Sequence, residues 1–113
     1  MNETENIVKI SVEALRDKKA EDIKVIDISK ISIMTDYFII ATGNNINQLK
    51  AMCDNVDEKL TAVGVHPRQT EGYDSGGWIL IDYRDVVIHL FDKESRSFYD
   101  LERIWSDGKD VAI

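Results

Sequence analysis

The sequence predicts a single α/β domain, residues 1–113, in which a mixed sheet of about five strands is flanked by helices. Two patterns indicate this fold class. Between Asn45 and Val63, an apolar stripe with helical period separates two strand-like runs, so a right-handed crossover is expected to make those strands parallel. Farther along, two apolar runs separated by Tyr83–Asp85 predict a hairpin, which adds antiparallel pairing.

The first three elements follow from local patterns. Asn2–Lys18 shows helical periodicity, and Asn2 with Glu5 resembles a capping box. Asp22–Ile28 and Asp36–Thr42 are β-branched, apolar runs whose connection is too short for a helix, which favours antiparallel neighbours. The second run is continuously apolar, so we expect it in mid-sheet with both faces buried.

The helix after these strands has the clearest periodicity in the chain. Asn45 is expected to be its N-cap, and Gly64 the residue just beyond its end. Cys53 lies within the apolar stripe, so we interpret this single cysteine as a packing residue rather than a nucleophile. A chain with one cysteine has no internal disulfide, which fits a reducing compartment.

A short strand through Gln69 and Thr70 precedes the hairpin. The first hairpin strand alternates, so its faces carry different side chains: Trp78, Leu80 and Asp82 on one, Ile79 and Ile81 on the other. After the second strand, four apolar residues predict one short helix that docks on the body: Phe98, Leu101, Ile104 and Trp105. The polar residues 106–113 are expected to form a loose tail.

Composition limits the classes of partner. Hydrophobic residues make up 43% and charged residues 31% of the chain, which is ordinary for a soluble domain. The formal net charge of -7 repels phosphates, so we expect a basic protein surface rather than direct, sequence-specific nucleic-acid binding. No stretch approaches the roughly 20 apolar residues of a membrane helix, and the acidic N-terminus does not resemble a signal peptide. The expected location is the cytoplasm, without membrane attachment.

Three groups of residues resemble parts of enzyme sites, and each has a simpler interpretation. Thr42–Asn45 offers backbone N–H groups to an anion, as any capped helix does, but carries no glycine-rich nucleotide-binding motif. Asp82 and Asp85 are of the kind that holds Mg²⁺, but they bracket a turn, where aspartate is common. His66 and His89 lack the spacing of zinc ligands. We therefore assign no catalytic residue, metal or cofactor.

The remaining pattern indicates a surface that binds a partner. Trp78 opens a strand directly after two glycines, where we do not expect its ring to be fully covered. Arg96 and Tyr99 follow the hairpin. Trp, Tyr and Arg most often dominate binding at interfaces, where truncating one costs about 2 kcal/mol or more. The alternative interpretation is that Trp78 packs under the N-terminal helix.

Four blocks of the chain resemble, in order and spacing, the ribosomal silencing factor family, also called the Iojap family. They are Thr35–Gly43, Glu71–Gly72 ahead of Trp78–Asp82, Asp85–Phe91, and Arg96–Trp105. One departure is Tyr83–Arg84, because the family often has glycine near this hairpin turn. The resemblance implies a mixed α/β fold that is nucleotidyltransferase-like but without catalytic activity.

The resemblance also implies a function. Members of this family bind the large ribosomal subunit through ribosomal protein fourteen, at the face where the small subunit docks, and so block subunit joining and repress translation under nutrient limitation. Organellar relatives act in large-subunit assembly, so an assembly factor is one alternative. A nucleotide-binding, nucleotidyltransferase-like enzyme is another.

Six residues on and beside the hairpin are expected to bind the partner: Trp78, Leu80, Asp82, Glu71, Arg96 and Tyr99. Trp78 and Leu80 would be apolar anchors, and the two acidic residues would meet Lys or Arg of the partner. Arg96 and Tyr99 would extend this face or, alternatively, fix the terminal helix against the hairpin. An exposed apolar face can self-associate, so a homodimer of the free protein is compatible with the sequence.

Overall fold

The computed structural model describes residues 3–74 and 76–113. The elements of these residues follow in the order α1 (Glu3–Asp17), β1 (Glu21–Asp27), β2 (Tyr37–Gly43), α2 (Ile46–Thr61), β3 (Gln69–Glu71), β4 (Trp78–Asp82), β5 (Val86–Asp92), α3 (Lys93–Tyr99), α4 (Leu101–Ile104) and β6 (Lys109–Val111). The elements predicted before α3 are present within one or two residues of their expected bounds. None of the helices in this part of the chain combines the length and apolar character needed to cross a membrane.

The strands form one six-stranded mixed sheet in the order β3-β4-β5-β2-β1-β6. β2 and β5 are parallel, whereas the other neighbouring pairs are antiparallel. The mixed sheet, the crossover through α2 and the pairing of β1 with β2 are therefore confirmed, with one strand more than predicted. β2 lies in mid-sheet, and its Ile39, Ile40 and Ala41 are fully buried, as its continuous apolar run predicted.

Helices α1 and α2 cover one face of the sheet and enclose the larger core, to which Leu15 contributes from α1 and Leu49 from α2. Asn45 caps α2, because its Oδ1 accepts a hydrogen bond from the backbone N–H of Gln48 at 2.8 Å. The capping role predicted for Asn2 lies outside the described residues. Cys53 is buried in this core, and burial raises the pKa of its thiol to about 12, so it is protonated at neutral pH.

The opposite face of the sheet is covered only in part. A smaller buried cluster lies there: Ile26, Ile28, Ile40 and Phe91. Four half-buried side chains pack against it: Phe38 and Trp78 from the sheet, and Leu101 and Trp105 from the C-terminal segment. The uneven covering leaves part of this face open to solvent.

The prediction of a loose tail over residues 106–113 is wrong. β6 pairs antiparallel with β1, and Val111 lies opposite Val25. This pairing satisfies backbone groups of β1 that would otherwise form an open sheet edge. An edge strand of three residues has too few apolar positions to produce a strand pattern in the sequence, which is why the prediction failed.

The prediction of a single C-terminal helix is also wrong. Asp100 adopts the left-handed conformation, with φ 49° and ψ 51°, and so separates α3 from α4. Leu101 and Trp105 pack against the sheet, whereas Phe98 and Ile104 are 79% and 66% exposed. Only two of the four residues expected to dock this segment therefore do so.

Candidate functional site

The half-covered sheet face carries the residues that the sequence singled out. Ile79 and Ile81 of β4 are buried in the larger core, so Trp78 and Leu80 point to the opposite face, as their alternation predicted. Trp78 is half-buried, with its ring centroid 4.5 Å from that of Tyr99. It therefore does not pack under α1, and its ring is partly open to solvent. We refer to Trp78, Leu80 and Tyr99 as the apolar strip.

His89 lies beneath this strip and is only 4% exposed. Its Nδ1 accepts a hydrogen bond from Trp78 Nε1 at 3.2 Å, so the proton of the neutral ring is on Nε2. Burial lowers the pKa of His89 to about 4, so the ring is neutral at physiological pH. Phe38 meets the imidazole edge-on, at a centroid distance of 4.8 Å. His89 thus supports Trp78 from below, and its Nε2 has no hydrogen-bond partner in the described chain.

Asp82, expected to meet a cation of the partner, is 6% exposed and already paired within the chain. Its Oδ2 lies 2.6 Å from Arg68 Nη2. Its Oδ1 accepts a hydrogen bond at 2.7 Å from the backbone N–H of Arg84, which has a φ of 74° in the hairpin turn. The carboxylate therefore stabilises the hairpin turn and orients Arg68. Because it is buried, Asp82 itself presents little surface to a partner.

Glu71 is the exposed carboxylate of the predicted set. It lies in edge strand β3 directly opposite Leu80 of β4. Its Oε1 accepts a hydrogen bond from Gln69 Nε2 at 3.2 Å, which leaves most of the carboxylate accessible. Glu71 thus places a negative charge beside the apolar strip.

Arg96 has the geometry of a residue that fixes the C-terminal segment. Its side chain is 13% exposed, and its Nε donates to Glu102 Oε1 at 2.9 Å. Its Nη1 donates to Thr42 Oγ1 at 2.8 Å and to the carbonyl oxygen of Asp22. These bonds join α3 and α4 to β1 and β2, which holds Tyr99 against Trp78. Arg96 therefore fixes the C-terminal segment, as the second of its two predicted roles required, but it does so against β1 and β2 rather than against the hairpin. A contact between Arg96 and a binding partner stays a prediction.

A groove of about 280 Å³ extends this face from Leu80 toward the hairpin turn, away from Trp78. Its apolar lining comes from separate parts of the chain: Met34, Phe38, Leu80, Val87 and Trp105. Met34 and Phe38 were not predicted from the sequence as residues of this face. The alternation that identified the faces of β4 cannot be recognised in the continuously apolar β2, so the face on which Phe38 lies was hidden. Met34 could have been recognised as a candidate because it is a large apolar residue within a connecting loop.

Titratable side chains on this face offer little for bond-breaking chemistry. Of the residues predicted and observed here, His89 is buried and neutral, and Asp82 is engaged on both oxygens. No group of three or more His, Cys, Asp or Glu residues that could hold a metal ion occurs within residues 3–74 and 76–113. This face instead presents apolar side chains on paired strands, with charged residues beside them.

Fold and site together define a small α/β domain with a partly covered aromatic sheet face, of the kind that binds another macromolecule. The profile of the family described as "Ribosomal silencing factor during starvation" matches residues 1–113. The protein belongs to this family, and the resemblance recognised in its four blocks is confirmed.

Individual relatives agree with this assignment. The chain is 40% identical over 103 residues to "Ribosomal silencing factor RsfS" of Bacillus subtilis, covering 91% of this chain and 87% of the relative. It is 31% identical over 102 residues to "Mitochondrial assembly of ribosomal large subunit protein 1" of Mus musculus, covering 88% of this chain and 45% of that protein. A crystal structure of a protein from Chromobacterium violaceum superposes with a TM-score of 0.90 at 38% identity, covering 99% of this chain and 92% of that one.

Proposed function

We propose that this protein binds the large ribosomal subunit through ribosomal protein fourteen, at the face where the small subunit docks. The bound protein occupies that face, blocks subunit joining and so represses translation under nutrient limitation. It acts in the cytoplasm by steric occlusion, without catalysis. The observation that carries the proposal is the apolar strip, partly exposed on a sheet in a chain that belongs to the silencing factor family.

The apolar strip has the properties of a binding hot spot. Trp78 is held from below by the hydrogen bond to His89 and from the side by Tyr99, which is itself 42% exposed. Little side-chain entropy remains to be lost when a partner covers these rings, so burial of their exposed parts contributes directly to affinity. A partly open aromatic pair of this kind suits an anchor near the centre of an interface.

Charge supports a basic protein partner. The chain has a formal net charge of -7, and Glu71 places an accessible carboxylate beside Leu80. Ribosomal proteins are generally basic, so the two fields attract each other and accelerate encounter. Asp82 contributes by holding Arg68 and the hairpin turn rather than by direct contact. Binding should therefore weaken as ionic strength rises, because exposed charges are screened.

The direct test is co-sedimentation of the protein with large subunits at physiological salt. Trp78→Ala is expected to weaken binding about 30-fold, which corresponds to about 2 kcal/mol for the loss of a central anchor. Leu80→Lys provides a second variant that leaves the Trp78 ring contacts in place. Val63→Ala is the matched control, since Val63 is an exposed apolar residue near the end of α2, outside the apolar strip.

Subunit joining provides the functional readout. Wild-type protein is expected to reduce the fraction of joined ribosomes when large and small subunits are mixed, and Trp78→Ala is expected to lose this effect. Circular dichroism of each variant must match the wild type. Full binding by a folded Trp78→Ala variant would refute the assigned face, and binding without any effect on joining would refute the occlusion mechanism.

The name of the mouse relative favours a second candidate, a factor in large-subunit assembly. The same surface would then bind the same ribosomal protein during maturation rather than during starvation. Ribosome profiles of a deletion strain separate the two roles. Accumulation of immature large subunits in growing cells supports assembly, whereas a defect confined to starvation supports silencing.

A further inference from the structure

The loop between β1 and β2 exposes three large apolar side chains. Ile31 is 46% exposed, Met34 81% and Ile33 105%. Large aliphatic residues grouped on one short loop are unusual at a free surface, and such patches mark interaction sites. The proposed function, which rests on the apolar strip, makes no use of them.

Hydrogen bonds hold this loop in one conformation. The exposure of its apolar residues is therefore a feature of the folded structure. The backbone N–H groups of Ile31 and Ser32 both donate to the carbonyl oxygen of Ile28, at 3.0 and 2.8 Å. Ser32 Oγ in turn accepts from the backbone N–H of Met34 at 3.2 Å. At the end of the loop, Asp36 N–H donates to the carbonyl oxygen of Asp85 at 2.9 Å, which ties the loop to the hairpin turn.

The loop is continuous with the proposed binding face. Met34 lines the same groove as Leu80, and Phe38 forms part of the lining between them. Trp78 and Tyr99 stand at one end of β4, whereas the loop meets the turn after the other end. The exposed apolar residues therefore form two arms, on either side of the half-covered part of the sheet.

We propose that Ile33 and Met34 form a second arm of the docking surface and insert into an apolar cleft of the same basic ribosomal protein that contacts the apolar strip. This inference rests on the proposed function and extends it. A stable interface buries about 800 Å² on each partner. The apolar strip is already half-buried within the chain, so it supplies only part of that area, and the adjacent loop supplies more.

The chemistry of the loop favours a protein over RNA as the occupant. Aliphatic side chains gain little from phosphate groups, and the net charge of -7 repels an RNA backbone. The same charge attracts a basic protein, whose apolar clefts can accept Ile33 and Met34. Contact at both arms would also fix the orientation of the bound partner, which a single strip leaves free to rotate.

The test uses isolated ribosomal protein fourteen and full-length variants, with affinity measured by calorimetry. Ile33→Ser and Met34→Ser replace exposed side chains, so both variants are expected to fold. Each is expected to weaken binding about tenfold, and the double variant about a hundredfold, because each loses one buried aliphatic side chain. Val63→Ser is the matched control, since Val63 is 54% exposed and lies outside both arms, and it is expected to bind as wild type.

The outcomes separate this inference from the proposed function. If Trp78→Ala loses binding while the loop double variant binds as wild type, the second arm is refuted and the proposed function stands. If the double variant loses self-association in sedimentation velocity but keeps its affinity for the ribosomal protein, the loop belongs to an interface with a second copy, and the inference is overturned. Absence of binding by the wild-type protein refutes both.

Discussion

Acid should destabilise this protein through His89, and the effect has a calculable size. The pKa of His89 is lowered from 6.5 to about 4 in the folded chain, because burial disfavours the charged ring. Between these two values the unfolded chain binds more protons than the folded one. The free energy of unfolding therefore falls as pH drops through 6.5, and the loss from this residue is complete only below about pH 4.

The magnitude follows from the shift. Each pH unit between the two pKa values is worth about 1.36 kcal/mol, so the full effect is about 3 kcal/mol. Between pH 7 and pH 5, His89 alone is expected to remove about 2 kcal/mol. Hydrogen bonds from Ser29 lower the pKa of Asp27 below its usual 3.8, so the stability contributed by Asp27 is lost only below this window.

The assay is urea unfolding followed by tryptophan fluorescence at pH 7, 6 and 5, on wild type and His89→Phe. The phenyl ring fills similar space and stays neutral, so the variant is expected to lose about 2 kcal/mol less than wild type between pH 7 and pH 5. Trp78→Phe is the control, since it removes the hydrogen bond to Nδ1 but leaves the imidazole in place. Equal pH dependence in wild type and His89→Phe would refute the assignment of a buried, neutral histidine.

Three further predictions concern the backbone. Arg84→Gly should raise the free energy of unfolding by up to about 1 kcal/mol, because φ is 74° at this position; a lower urea midpoint would contradict this. Gly77→Ala should cost more stability than Gly64→Ala, since both have positive φ but only the new Cβ at position 77 would meet Ser95 Oγ, at 2.9 Å. Equal losses of stability in urea unfolding would mean that Ser95 moves and so relieves its contact with the new Cβ. Val111→Pro should accelerate hydrogen exchange of β1 amides, because it disrupts the β6 ladder; unchanged exchange would argue against that pairing.

The family blocks and the elements up to β5 could be predicted because their signals are local. Asn45 caps α2 with its own side chain, three residues from its donor at Gln48, so the cap can be recognised in the sequence. The alternation of Ile79 and Ile81 with Trp78 and Leu80 fixes which side chains share a face of β4, whichever strands lie beside it. The same alternation correctly predicted that Trp78 and Leu80 lie on the face opposite Ile79 and Ile81.

The roles of individual site residues could not be predicted in the same way. Arg96 binds Glu102, six residues away, but also Thr42, which is 54 residues away. Asp82 is paired with Arg68 from a different part of the chain, 14 residues earlier. A sequence shows that such residues carry charge, but not which distant partner neutralises it. Asp82 was therefore predicted as a contact with a binding partner, and Arg96 was left between such a contact and a structural role, whereas in the folded chain both side chains have internal partners.

The sequence by itself determined the fold class, the silencing factor family and the face on which Trp78 and Leu80 lie, since each depends on spacing along one segment. Tertiary structure alone decided how much of that face stays open. Trp105 covers one part of it, Tyr99 borders Trp78, and the loop carrying Met34 lines the groove at the other end of β4. The exposure of this face is set by segments that are distant in the chain and meet only after folding. A local sequence pattern does not show where such segments meet.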